Sequence, residues 1–485
     1  MGNHARRFLA NFSILVAGDV ASKFLLLWAS VRMAHVVGTS RFGDLAFALA
    51  FTAYFSLLVS QGLGNYGVQE VARHPERTGE YVGNILALRF CASLLAAVTL
   101  LATVALLGKP AEVKDLILLY GLLFFSSAFS LNWVFQGMEQ MKFVATATVI
   151  SQMLFAALIL VFLHQPSQYA WVPVFQFCGE ALAALFLLIA YVRRVGPIRL
   201  IFDFPSWVRI WKESLPIGLS LGLGMVLYNF DVVLMGFMKA SDEVGQYSAA
   251  YRIINFFMGL LMLYNVNLYP AISRSRDHPA VLRRIADRSM RYTILFTLPV
   301  AVGGMFVARP IMGWIFGQQF LDGAGALRIL LWIVPILAGR AVYRATLLSH
   351  GLQRDFLWIA LWAAAVNTGF NLALIPRYSY LGAAAATLIS ELLVFVLVYR
   401  RVAQRVVTLE IASHLVRPAL ACIPMIGYLI WQSGGTLPVL VAGGGAIYLI
   451  SAWLVGAIRP REILEELRRT GPHVRAEAEK SPDQL

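Results

Sequence analysis

Residues 226–237 read VLYNFDVVLMGF, a single carboxylate in an uncharged and mostly apolar run. Asp231 is one of eleven ionisable side chains set in such runs; the others are Asp19, Lys23, Arg32, Arg89, Glu180, Arg252, Arg340, Arg344, Glu391 and Arg417. A carboxylate held away from water can carry a proton, bind a cation or balance an opposite charge. An arginine in the same setting offers a planar fork of donors that matches phosphate or carboxylate. Seven of the eleven are basic and four acidic, so a cavity that they shared would favour an anionic ligand. Lys23, Arg89, Arg252, Arg340 and Arg344 are the candidate ligands for that anion. Asp19, Glu180, Asp231 and Glu391 are the candidate gating or cation-coupling groups.

Spacing refines these roles. Asp19 and Lys23 stand at i, i+4 and can neutralise each other on one helix face. Arg340 and Arg344 share a face in the same way, as like charges that would welcome an anion. Arg32, Arg344 and Arg417 lie close enough to the ends of their runs to reach the headgroups along their aliphatic stems. Tyr228, Gly224 and Ser220 precede Asp231 at helical spacing, a polar and small stripe that faces a cavity or a tightly packed neighbour. Arg252 follows one short turn later, and the rise per residue puts it and Asp231 at matched depth, roughly 8–10 Å inside one boundary. The two are expected to meet, either as a static ion pair or as a gate pair that parts when access alternates. Without that partner, Asp231 reads as a solitary cavity group for a proton or a cation.

Helices that cross a membrane must position these groups. Hydrophobic residues make up 59% of the 485 and charged residues 14%, with a mean hydropathy of +0.70; soluble domains average about 45–50% and ~25%. A crossing helix needs about 20 apolar residues. Fourteen runs qualify, at about 12–36, 43–62, 83–107, 115–135, 143–163, 168–192, 214–238, 247–269, 292–308, 325–348, 356–376, 382–400, 415–433 and 437–457. The expected fold is an all-α polytopic membrane protein. The first run, which carries Asp19 and Lys23, is read as a retained span rather than a cleaved leader. The ninth is interrupted by Arg309-Pro310. Of the 40 Lys and Arg, 26 fall on the side that holds both termini and 7 on the other, which assigns both termini to the cytoplasm. The net charge of +14 is then a topology signal and implies no nucleic acid.

Little points to an enzyme. Cys91, Cys178 and Cys422 lie within the apolar runs and form no CxxC site. No metal cluster, nucleophile elbow or phosphate-binding glycine loop stands in a suitable context, and the loops on the outer side are short.

The chain divides after the sixth run. GEALAALFLLIAYVRR carries Glu180 and ends on Arg193-Arg194; SELLVFVLVYRR carries Glu391 and ends on Arg400-Arg401, 211 and 207 residues later. GTSRFGDLAFALA and KASDEVGQYSAAY also echo each other as polar turns before a new helix. The organisation expected is an N-terminal lobe over 1–192, a basic and interfacial linker over 193–213, a C-terminal lobe over 214–401, two extra spans over 402–458 and a charged cytoplasmic tail over 459–485.

Three stretches carry a family resemblance: GLGNYGVQEVAR at Gly62–Arg73, DVVLMGFMKASDEVGQYSAAYRI at Asp231–Ile253, and NLALIPRYSYLGAAAATLISE at Asn371–Glu391. In the third, SYLG stands where Gly-Ile-x-Gly is common. In this order, spacing and frame, the chain resembles the polysaccharide biosynthesis flippases, the Wzx-like polysaccharide-transport branch of the MOP exporter superfamily. The resemblance implies two six-helix lobes that rock around a central cavity. It implies an undecaprenyl-pyrophosphate-linked oligosaccharide as cargo, moved across the bacterial inner membrane for O-antigen, exopolysaccharide or capsule assembly. It further implies membrane lipid, a polymerase and chain-length machinery as partners, and no bound cofactor beyond a Na+ or H+ gradient. A same-fold exporter of a small organic cation is the first alternative, against which the basic balance argues. A polyprenyl-linked glycan polymerase or glycosyltransferase is the second, against which the short outer loops argue.

Overall fold

A segment of twenty apolar residues in lipid must satisfy every backbone N–H and C=O internally, and a helix does so. The computed structural model is accordingly helical, with no strand among the described residues. It describes residues 2–408 and 411–458, without the side chains of 2–17, 19, 220, 221, 223, 226–228, 260, 262–267, 411 and 412. The expected tail at 459–485 lies outside the described residues.

Ten helical segments are long and apolar enough to cross a membrane. Two of them are double. Gly2–Ser60 breaks at Gly38 (φ 80°, ψ 174°) into spans 1 and 2, and Gln353–Arg405 breaks at Ser379 (φ 51°, ψ −131°) into spans 11 and 12. Phe204–Met238 and Ser241–Arg274 supply spans 7 and 8, which brings the crossings to fourteen. Thr78–Leu106 is span 3, Ala111–Tyr120 with Leu123–Ala128 span 4, Met141–Phe162 span 5 and Val172–Arg194 span 6. Pro279–Ile315 is span 9, Ala324–Leu330 with Ile333–Ser349 span 10, Ile411–Trp431 span 13 and Leu437–Leu454 span 14.

Local sequence explains the breaks. Only glycine adopts φ 80° without a Cβ clash, so Gly38 turns the chain between two antiparallel spans. Ser379 does the same work at a steric disadvantage, and it occupies the position where the resemblance expects glycine. Two boundaries differ from expectation. Span 9 does not stop at Arg309-Pro310 but continues to Ile315, because neighbouring helices in a bundle tolerate the lost hydrogen bond. The basic linker is helical from Phe204, with Pro205 in its first turn, and runs without interruption into span 7. Phe202 and Phe204 are exposed on it, while Ile201 N–H donates to the Gly83 carbonyl at 3.3 Å and ties it to span 3.

Three apolar cores organise the packing, and their membership is informative. One draws on spans 1–12, so both halves of the chain share it; Phe42, Tyr120, Tyr247, Phe316 and Phe320 are among its members. These residues lie toward the end carrying the 1–2 and 7–8 turns, which the charge asymmetry assigns to the outside. The other two cores each belong mainly to one half, around Trp133, Leu187 and Tyr191 and around Met290, Tyr343 and Val398. The halves therefore share a core toward the end with the 1–2 and 7–8 turns and keep cores of their own toward the other end, where they still touch as Gly62 packs on the backbone of Ser214 and Gly218. Spans 13 and 14 pack on each other and on span 9.

Candidate functional site

Asp231 is buried, at 5% exposure, and all its hydrogen bonds come from neutral groups of three other spans. Asn371 of span 11 donates Nδ2 to Oδ1 at 2.6 Å. Thr387 of span 12 donates to Oδ2 at 2.5 Å, and the Tyr247 hydroxyl of span 8 donates to the same oxygen at 2.9 Å. The network continues from Asn371 to Asn367 Oδ1 at 3.0 Å and from Asn367 to Ser390 Oγ at 3.0 Å. Helical spacing brings this about: Asn367 and Asn371 are i, i+4 on one face of span 11, and Thr387, Ser390 and Glu391 follow on one face of span 12. Hydrogen bonding to a charge is what makes such burial affordable.

The expected pairing of Asp231 with Arg252 is corrected by this geometry. Tyr247, stacked on Tyr251 with centroids 5.6 Å apart, is the residue that span 8 turns toward Asp231. Arg252 lies five residues on, about 140° further round a helix with 3.6 residues per turn. Arg340 and Arg344 do stand at i, i+4 on one face of span 10, but a carboxylate reaches the first of them. Arg340 forms an ion pair with Glu391, each about a quarter exposed (23% and 25%), and Arg344 is exposed. Two expected cavity charges therefore neutralise each other between spans 10 and 12.

The remaining candidates are dispersed. Lys23 lays its aliphatic stem over Gly259 of span 8; the side chain of Asp19 lies outside the described residues, as do those of Ser220 and Tyr228 in the expected stripe. At Gly224 a Cβ would meet no atom within 4 Å, so that part of span 7 borders open space. Arg89 is buried and donates to the Ser130 carbonyl at 3.4 Å, with Nε unpartnered. Glu180 accepts from Ser126 of span 4 at 3.0 Å and from Gln176 at 3.5 Å.

Several residues that matter carry no charge and were not singled out from the sequence: Tyr247, Asn367, Asn371 and Thr387. The available signal was two amides at i, i+4 within an apolar run. Polar contacts between the two halves were missed as well. The turn between spans 1 and 2 meets the turn between spans 7 and 8, through Thr39 to Asp242 and Ser241 to Asp44. Lys109 donates to the Gly236 carbonyl beside them, and Gln319 Nε2 donates to the Ala34 carbonyl at 3.2 Å.

The sequence pattern described as polysaccharide biosynthesis protein matches residues 8–276, more than half the chain. The chain belongs to that family. A protein of Escherichia coli (strain K12) described as a candidate O-antigen transporter is 23% identical over 395 residues, 79% of this chain and 93% of its own length. The lipid II flippase MurJ of Bacillus subtilis (strain 168) is 21% identical over 306 residues, 56% of each chain. Among solved structures, a lipid II flippase MurJ in an inward closed conformation aligns with a TM-score of 0.72 at 15% identity, covering 93% of this chain and 99% of that one. An inward-facing multidrug resistance MATE transporter of the MOP superfamily aligns at 0.63 and 16%, covering 79% and 95%. These two likenesses establish the fold. In this polysaccharide biosynthesis protein the buried Asp231 network lies within the second half of the chain, and the contacts of the 1–2 turn with the 7–8 turn lie between the halves.

Proposed function

We propose that the chain flips a polyprenyl-(pyro)phosphate-linked oligosaccharide from the cytoplasmic to the periplasmic leaflet of the bacterial inner membrane, by alternating access, for surface polysaccharide assembly. The family match over residues 8–276 carries this reading. The packing supports the mechanism: one core and a set of polar contacts join the halves at the outer end, while at the inner end each half keeps its own core and the two touch where Gly62 packs on Ser214 and Gly218. Such an arrangement suits a protein closed to the outside that opens by rocking one half against the other. The basic asymmetry supports cytoplasmic termini. A polymerase and its chain-length machinery would take the product on the far side.

Asp231 is the coupling group in this reading. Its carboxylate, the Thr387 hydroxyl, the Ala383 carbonyl that Thr387 also touches at 2.9 Å, and the buried, unpartnered Asn371 Oδ1 form an oxygen-rich cluster. Hard oxygen ligands of this kind fit a monovalent cation, and a lone buried carboxylate fits a proton. Binding at Asp231 would change how spans 7, 11 and 12 hold together, and hence which way the bundle opens.

The test is translocation by the purified chain in proteoliposomes loaded on one leaflet with a polyprenyl-pyrophosphate-linked oligosaccharide, read by lectin access from the other side. Transfer above protein-free vesicles is expected, with a dependence on a Na+ or H+ gradient. Absence of transfer for every such lipid, with transfer of a small organic cation instead, would replace the reading by the drug-exporter alternative.

A further inference from the structure

Glu180 and Glu391 stand 211 residues apart at the same place in the two similar halves, and the structure gives them different company. In each half the residue before the glutamate packs on the preceding span: Gly179 against the Ser151 backbone of span 5, Ser390 against Asn367 of span 11. In each half the carboxylate then reaches the helix two spans earlier. Glu391 meets Arg340 of span 10. Glu180 meets Ser126 of span 4, and the space that a guanidinium fills in the second half is, in the first, part of a cavity.

That cavity has a volume of about 290 Å³ and is lined by Ser126, Ser130, Asn132, Ser151, Gln152 and Glu180, among others, from spans 4, 5 and 6 and the segment that follows span 4. It is roughly ten times the ~30 Å³ of a water molecule and close to the lower limit of small-molecule pockets. Its oxygens are acceptors in excess. Among the described residues, Asn132 Oδ1 and Gln152 Oε1 are buried without a hydrogen-bond partner, and the carboxylate receives only Ser126 and Gln176. Arg89 of span 3 does not supply the missing charge: it donates to the Ser130 carbonyl and makes no contact with Glu180.

We propose that this cavity binds a protonated primary amine or a guanidinium, whose N–H groups donate to Glu180, Asn132 and Gln152 as Arg340 donates to Glu391 in the other half. A cation with several N–H donors satisfies the carboxylate and the two orphaned amide oxygens together. Its source is either a soluble amine, including an amino group on a sugar, or the amine headgroup of a lipid. The proposal is independent of what cargo the protein carries.

The probes are ethanolammonium and guanidinium chloride at millimolar concentration, titrated into the full chain in detergent against sodium and tetramethylammonium chloride at equal ionic strength. Thermal unfolding is the readout. Saturable stabilisation by the two N–H cations alone is expected, and Glu180→Gln should weaken apparent binding on the order of tenfold or more, the loss of one charge-assisted hydrogen bond. In nanodiscs, phosphatidylethanolamine should abolish the response to added amine if the source is lipid, whereas phosphatidylcholine should preserve it; an equal response in both assigns a soluble amine. A tethered cation gives the second test. Ser126→Arg should fold, pair with Glu180 and remove the response, but should fail to accumulate when combined with Glu180→Gln, which would leave the arginine buried and unpaired. The proposal is overturned if the wild-type chain gives no cation-specific response, if the response survives Glu180→Gln, or if Ser126→Arg accumulates equally well with and without Glu180.

Discussion

Gly43 and Gly245 cross back to back at the outer end of the molecule: a Cβ on Gly43 would lie 2.8 Å from the Gly245 nitrogen, and one on Gly245 would lie 3.3 Å from the Gly43 nitrogen. They belong to the two similar turns, GTSRFGDLAF and KASDEVGQYSAAY. The same crossing carries the contacts of Thr39 with Asp242 and of Asp44 with Ser241.

Gly245→Ala should therefore weaken the outer closure. Overpacking costs about 1–3 kcal/mol, which shifts a two-state equilibrium by roughly 5–150-fold. In a chain freed of Cys91, Cys178 and Cys422, a cysteine at Thr39 should react faster with a membrane-impermeant thiol reagent once Gly245 is alanine. Unchanged labelling would mean that this crossing does not hold the closed state.

Asp231→Asn keeps the size of the side chain and removes its charge. The chain should fold and accumulate, because its neutral partners Tyr247, Asn371 and Thr387 can still bond an amide. Gradient-dependent translocation should fall on the order of tenfold or more, since charge-assisted hydrogen bonds of about 1.5–3 kcal/mol give way to neutral ones near ~1. Full retention of gradient dependence would remove Asp231 from the coupling role.

Arg340 and Glu391 should behave as a pair. Arg340→Met or Glu391→Gln alone should destabilise the protein by roughly 2 kcal/mol, less than the ~3–5 of a fully buried pair because each side chain is about a quarter exposed (23% and 25%). The double variant should lose less than the two singles together. A double-mutant cycle by thermal unfolding checks this; strictly additive losses would assign the two groups separate roles.

Ser379 holds φ at 51° between spans 11 and 12. Ser379→Gly should relieve that backbone and raise stability by about 1 kcal/mol, while Ser379→Val should lower it by more. The order of the two midpoints in thermal unfolding tests the assignment of strain.

Much of this protein was legible in its sequence. Hydropathy is a sum over neighbouring residues, so the helices that cross the membrane could be read segment by segment. The repeat was visible in Glu180 and Glu391, and Gly38 and the SYLG stretch marked where chain reversals fall. What the side chains meet was decided only by the fold. Asp231 takes its partners from residues 140 and 156 positions away, and Glu391 takes its from 51 positions away. One residue of register turns a helical side chain by about 100°, so depth matching alone brought Arg252 to the right level and the wrong side. Neutral Asn371, Thr387 and Tyr247 carry no long-range signal in composition; they become a site because three helices rotate them onto one carboxylate.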